Sequence, residues 1–142
     1  MKLVCHLLDS KGRDVLSIAP EASVLDAISL MAEKAIGALV VMDGDKLAGM
    51  VTERDYARKV ILKGRSAHNT SVKEIMTADV ITTASNESVE KCMNIVTDKR
   101  IRHLPVVDDG KVTGIISIGD LVKAVIADQQ EAIEHLQHYI NG

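Results

Sequence analysis

Gly49-Met50-Val51-Thr52-Glu53-Arg54-Asp55 runs from the end of an apolar strand pattern into the start of a helical one. A small residue is followed three positions on by a hydroxyl, and three further on by a carboxylate. The same order returns 65 residues later at Gly114-Ile115-Ile116-Ser117-Ile118-Gly119-Asp120. One such stretch is a capped strand-to-helix turn. Two at a fixed offset mark a repeated unit.

Working outward, the same offset relates Asp14 to Asp79, Val24 to Val89, Lys34 to Lys99, Ile36 to Ile101, Asp43 to Asp108 and Lys46 to Lys111. The register holds without a gap from Asp14–Ile61 to Asp79–Ile126. In the first copy, Val15 to Ile18 is a short strand candidate. Pro20 to Ser23 introduces a helix with Val24, Ala27, Ile28 and Met31 on one face. Ala38 to Met42 suits a buried strand, Asp43-Gly44 signals a hairpin, and Leu47 to Val51 is the returning strand. A second helix is expected from Asp55. In the second copy Val89, Cys92, Met93 and Val96 repeat the buried helix face. Each copy therefore reads β-α-β-β-α and is too small to bury a core alone. The expected fold is α/β (α+β), two repeats packed with pseudo-two-fold symmetry. Residues 1–64 form the first repeat with an N-terminal segment in which Leu3 to Leu8 is read as a helix. Residues 65–71 form a polar linker, 72–127 the second repeat, and 128–142 a helix with Ile133, Leu136 and Ile140 on one side.

Composition narrows the function. The chain has 142 residues, 46% of them apolar, so one compact body or two small ones sharing a core are within reach. Phe and Trp are absent and only Tyr56 and Tyr139 are aromatic, so the core is aliphatic and a nucleobase has little to stack on. A net charge of −3 argues against a nucleic-acid binder. No apolar run is long enough to span a bilayer. The N-terminal apolar run is cut short at Asp9, a poor signal peptide. Cys5 and Cys92 suit reduced thiols, and a soluble, cytoplasmic protein is expected.

With these residues in place the chain resembles the cystathionine-β-synthase (CBS) domain pair, or Bateman module. The resemblance rests on two Gly-x-x-Thr/Ser-x-x-Asp turns, on Ile75-Met76-Thr77 leading into the second copy, and on Arg102-His103-Leu104-Pro105-Val106-Val107-Asp108 within it. It covers about Leu7 to Ala127. It implies a stand-alone regulatory, energy-sensing module that binds an adenosine nucleotide in clefts between the repeats. AMP comes first, with ADP, ATP, NAD and S-adenosylmethionine as alternatives.

The residue types fit such a ligand. Asp55 or Asp120 at a helix start can accept both ribose hydroxyls. The hydroxyl of Thr52 or Ser117, with backbone N–H groups at the helix end, suits phosphate. The competing reading makes both aspartates helix caps and nothing more. The copies differ in charge: Arg54 stands where the second has Gly119, and Arg102 and His103 stand where the first has Gly37 and Ala38. An Arg can make a charge-assisted bond to phosphate. By resemblance Arg102 and His103 face phosphate and Thr77 contacts ligand; the alternatives are a solvated strand end and a helix-end hydroxyl. The stronger phosphate site is thus expected at Asp55, with Thr52, Arg54, Arg102 and His103.

No nucleophile–base spacing, Walker loop or Rossmann fingerprint supports an enzyme. His135 and His138 lack a third metal ligand, and Cys5-His6 is isolated. The serious alternative is a ligand-free scaffold acting through dimerisation, against which both aspartates and both hydroxyls are retained. Family analogy implies a homodimer and an unidentified regulated protein as partner.

Overall fold

The computed structural model describes residues 2–141. The chain divides into two compact units, one spanning Val15–Ile81, the other joining the N-terminal segment up to Asp14 with everything from Thr82 onward.

In the Val15–Ile81 unit, β1 (Ser17–Ile18) lies parallel to β2 (Ala38–Asp43), and β2 pairs antiparallel with β3 (Lys46–Thr52). The parallel crossover is α2 (Val24–Lys34), whose N-terminus is capped by Ser23 Oγ accepting from the Asp26 N–H at 3.0 Å. The predicted face packs inward: Val24, Ala27 and Met31 join Leu39, Val41, Val51, Val60, Val72 and Ile75 in an aliphatic core, with Ile28 partly buried against it. After β3 comes one α-helical turn, α3 (Glu53–Tyr56), which widens into a π-helical turn at Ala57–Ile61. The helix expected from Asp55 is thus present, starting at Glu53 and wound as an α turn followed by a π turn. Lys63–Ser71 has no long element, and Val72–Glu74 forms a 3₁₀ turn.

The other unit contains α1 (Val4–Lys11), α4 (Val89–Lys99), an antiparallel pair β4 (His103–Asp108) and β5 (Lys111–Ser117), and α5 (Ile118–Asn141). Ser88 caps α4 as Ser23 caps α2, with Oγ accepting from the Lys91 N–H at 3.1 Å. The duplication extends to irregular positions. Ala35 and Arg100 end their helices at φ 54°, and β-bulges fall at Val41/Met42 and Val106/Val107. The hairpin turns differ. Asp109 and Gly110 both have positive φ, as a type I′ turn requires, whereas only Gly44 does in the first copy.

The strand expected at the head of the second copy is reduced to one parallel bridge, Thr83 to Val106. In the first copy the Val40 N–H donates to Leu16 O at 3.3 Å. Pro105 holds the place of Val40 and has no N–H, so that ladder bond cannot form. Two bonds around Thr83 remain, its N–H to Pro105 O at 3.0 Å and the Val107 N–H to its carbonyl at 2.8 Å. A polar clip reinforces them. Asp108 accepts from the Ser85 hydroxyl, from the Ser85 N–H at 2.9 Å and from Thr113 Oγ1 at 2.6 Å. These bonds, Ser85 and Thr113 foremost, hold the Asp108 carboxyl below the ordinary range despite some desolvation. A carboxylate with a lowered folded pKa stabilises the fold above its unfolded value and loses that contribution as pH falls through the folded one. Asp108→Asn is accordingly expected to lower the urea midpoint at pH 7 and to shrink the further drop between pH 7 and pH 3. An equal drop in wild type and variant would show that the clip contributes nothing.

The packing units are offset from the sequence repeats, and the offset is itself duplicated. Val72 and Lys73 donate to Ala22 O and Pro20 O at 2.8 and 2.9 Å, and Val24 donates to Thr70 O at 2.8 Å. In the other unit Val4 and Cys5 donate to Glu87 O and Ser85 O, both at 2.9 Å, and Val89 donates to Lys2 O at 3.0 Å. Each repeat is completed by the segment that precedes the other repeat.

Candidate functional site

The two strand-to-helix turns have nearly the same internal bonding. In the first, the Asp55 N–H donates to Thr52 Oγ1 at 3.1 Å, and Asp55 Oδ2 accepts from the Thr52 N–H at 3.0 Å and from its hydroxyl at 3.1 Å. In the second, the Asp120 N–H donates to Ser117 Oγ at 3.1 Å and Asp120 Oδ2 accepts from the Ser117 N–H at 2.8 Å. Both are reciprocal capping boxes. The structural role of the hydroxyl–carboxylate pairs is therefore realised in full, while both aspartates keep partial exposure, 13% for Asp55 and 22% for Asp120.

The glycines that open the motifs are explained by packing. A Cβ at Gly49 would lie 2.6 Å from Thr77 O and 2.8 Å from Met76 Sδ; one at Gly114 would lie 2.6 Å from a Leu8 methyl. The chain segment beside β3 is held by two bonds, the Met50 N–H to Thr77 O at 3.0 Å and the Thr77 N–H to Met50 O at 2.9 Å. Thr77 thus sits against the strand that leads to Thr52 and Asp55, with its side chain exposed.

Each carboxylate also has a lysine that the motif does not reveal. Lys59 Nζ stands 3.3 Å from Asp55 Oδ1 and donates to Ile75 O at 2.8 Å. Lys11 Nζ, on α1, donates to Asp120 Oδ2 at 2.6 Å and to Ile115 O at 2.8 Å. Burial works to raise the Asp120 pKa, but the bond and charge of Lys11 with the Ser117 bonds outweigh it and hold the carboxyl below the ordinary range. Lys59 was within reach of the sequence as an i, i+4 partner of Asp55. Lys11 was not, being 109 residues from Asp120 and on the segment that precedes the first repeat.

The expected site residues fall into two groups. Thr52, Arg54, Asp55 and Thr77 belong to the Val15–Ile81 unit, with Arg54 exposed at the turn. Arg102, His103, Ser117 and Asp120 belong to the other. There His103 pairs with Ser117 across β4 and β5, and the Ile118 N–H donates to Arg102 O at 2.8 Å, so strand end and turn are stitched together. His103 is partly buried and Arg102 exposed. The first turn opens only a four-residue α-helix, the second a 24-residue one. Helix-dipole support for an anion is thus greater at Ser117, while two cationic side chains, Arg54 and Lys59, stand near Thr52. Among the described residues, no cluster of three or more His, Cys, Asp or Glu side chains is arranged to hold a metal ion. Nor is any helix there long and apolar enough to cross a membrane.

Each copy of this unit, closed by its Gly-x-x-Thr/Ser-x-x-Asp turn, falls in a stretch that matches the CBS domain, residues 11–62 and 72–127. The chain belongs to the CBS-domain family. It is 39% identical over 148 residues to the CBS domain-containing protein CBSX3, mitochondrial, of Arabidopsis thaliana, covering 98% of this chain and 72% of that protein. A protein with CBS domains from Burkholderia ambifaria superimposes with a TM-score of 0.87 at 55% identity, over 90% of this chain and 96% of that one. The CBS domain pair of protein MJ0100, solved in complex with 5′-methylthioadenosine and S-adenosyl-L-methionine, superimposes with a TM-score of 0.80 at 26% identity. That match covers 90% of this chain and 98% of that one.

Proposed function

We propose that this protein is a non-catalytic regulatory module whose two strand-to-helix turns take the ribose and phosphate of an adenosine nucleotide. AMP leads, with ADP, ATP and NAD as alternatives. The observation that carries this is the repeated placement of a partly exposed carboxylate, already oriented by its own hydroxyl and amide, beside a lysine. A carboxylate so held accepts two ribose hydroxyls without first losing side-chain entropy. The adenosine ligands of the MJ0100 pair support the same ligand class here. Thr52, Arg54, Asp55 and Thr77 serve one ligand, Ser117 and Asp120 a second, and Arg102 and His103 meet phosphate. Free Cys5 and Cys92 suit a cytoplasmic setting.

A ligand that binds only the folded state raises stability by mass action, about 2.7 kcal/mol at a hundred times its dissociation constant. A thermal-shift screen with AMP, ADP, ATP, NAD and S-adenosylmethionine at millimolar concentration is therefore expected to show a rise in Tm with AMP of several degrees. No shift with any of the five would transfer the function to the ligand-free scaffold.

A further inference from the structure

Met50 on β3 and Ile115 on β5 are equivalent positions, 65 residues apart. At the first, the main chain of Thr77 lies along the strand and its N–H donates to Met50 O at 2.9 Å. At the second, the donor to Ile115 O is the ammonium of Lys11, at 2.8 Å. Lys11 Nζ therefore stands where the first turn has Thr77, a residue counted above among those that serve the ligand. From that place it also donates to Asp120 Oδ2 at 2.6 Å.

The first turn holds its lysine differently. Lys59 Nζ lies nearer to Ile75 O, at 2.8 Å, than to Asp55 Oδ1, at 3.3 Å. The position equivalent to Lys59 in the second copy is Ala124, which is buried. Leu8 and Met76 are counterparts, each packed against a motif glycine, yet three residues past Met76 stands Asp79 where three past Leu8 stands Lys11. The contact of Lys11 with Asp120 is thus no legacy of the duplication.

We infer that Lys11 is a specificity-determining residue of the second turn, a tethered competitor that a ribose has to displace from Asp120. This rests on the nucleotide reading of the two turns. The backbone of α1 is fixed without help from Lys11: Val4, Leu7 and Leu8 are buried, and the Val4 and Cys5 N–H groups donate to Glu87 O and Ser85 O, both at 2.9 Å. Only the Lys11 side chain, 34% exposed, has to move. Held beside the carboxylate by α1, its ammonium competes at the high effective concentration of an intramolecular partner. A ribose hydroxyl is a neutral donor to Asp120, and the ammonium is a charged one whose two bonds, to Asp120 and to Ile115 O, are both forfeited on displacement. A ligand that relies on its ribose hydroxyls is therefore held poorly at Asp120 and well at Asp55.

Calorimetric titration of the full chain with AMP tests this. Wild type is expected to bind tightly at Asp55 and weakly at Asp120. Lys11→Met keeps the unbranched stem and removes the ammonium. It should tighten the weak event at least roughly tenfold, the worth of one charge-assisted bond, and leave the tight event unchanged. Lys11→Arg, which keeps the charge, should behave as wild type. Asp120→Ala added to Lys11→Met should abolish the gain, an outcome that a merely structural role for Lys11 does not produce. A weak event that Lys11→Met leaves unchanged or weakens, or a gain that survives Asp120→Ala, overturns the competitor while the tight event keeps the nucleotide reading standing. No binding of AMP by wild type and Lys11→Met alike overturns the nucleotide reading, and the competitor with it.

Discussion

A single methyl group at position 49 is expected to cost the Val15–Ile81 unit about 3 kcal/mol, the upper end of what overpacking a filled interior costs. The new Cβ of Gly49→Ala would sit 2.6 Å from a backbone oxygen, Thr77 O, and that oxygen is itself held by the Met50 N–H. Neither atom can swing aside as a side-chain end can. The segment must peel from β3, giving up the Met50–Thr77 pair of bonds and loosening Ile75, which is fully buried and whose carbonyl accepts from Lys59. Gly114→Ala is the matched control, because its Cβ meets only the end of the Leu8 side chain. Leu8 is fully buried, so repacking still costs about 1 kcal/mol. Urea unfolding of both variants decides: a Gly49→Ala protein as stable as Gly114→Ala would remove the backbone clash as the reason for glycine there.

The second large effect is on ligand affinity. Calorimetric titration with AMP is expected to show at least a hundredfold loss for Asp55→Ala and less than tenfold for Asp120→Ala. Two hydrogen bonds to an ionised carboxylate, at about 1.5–3 kcal/mol each, account for the first figure. The asymmetry has a local cause. Asp120 is already engaged by a 2.6 Å bond to Lys11, whereas Asp55 meets Lys59 at 3.3 Å and has Arg54 beside it. A ribose bound as proposed would compete with Lys11 at the second turn, and at the first would find cations that also suit its phosphate. Asp55→Ala removes both bonds that its carboxylate accepts from Thr52 and the Lys59 ion pair, about 1–3 kcal/mol of stability, so the titration belongs well below the variant's Tm. Unchanged affinity in Asp55→Ala with binding abolished in Asp120→Ala would reverse the order of the sites.

Much of this architecture was legible in residues whose constraints are local. Ser23 and Ser88 cap the helices, the apolar faces of α2 and α4 point inward, and the hairpins turn at Gly44 and Gly110. The failures have physical reasons. The second copy's first strand was expected by analogy with Val15–Ile18, although Pro105 removes the donor that such a ladder needs. The helix after Asp55 forms, but its apolar pattern was too short to specify its winding, an α turn followed by a π turn. Lys11 beside Asp120 depends on where α1 packs, and nothing near Lys11 in sequence encodes that. The equivalence of Val4 and Val72 is hidden in the sequence because their separation is 68 residues, not 65, so the leading segments fall out of the repeat's register.

The exchange of leading segments also orders events on the ribosome. Val15–Ile81 has all its parts once its own stretch has emerged, so it can fold while the chain is still being made. The α1 segment, made before Val15–Ile81, has no neighbour from its own unit until Ser85, Glu87 and then β5 follow, about 80 to 100 residues later. At about 5–20 residues per second that is a wait of roughly 5–20 s. Throughout it Val4, Leu7 and Leu8, all buried in the finished fold, are in water. The segment that precedes Val15–Ile81 is thus among the last to be secured, and its apolar side chains stay unburied until the second half of the chain follows.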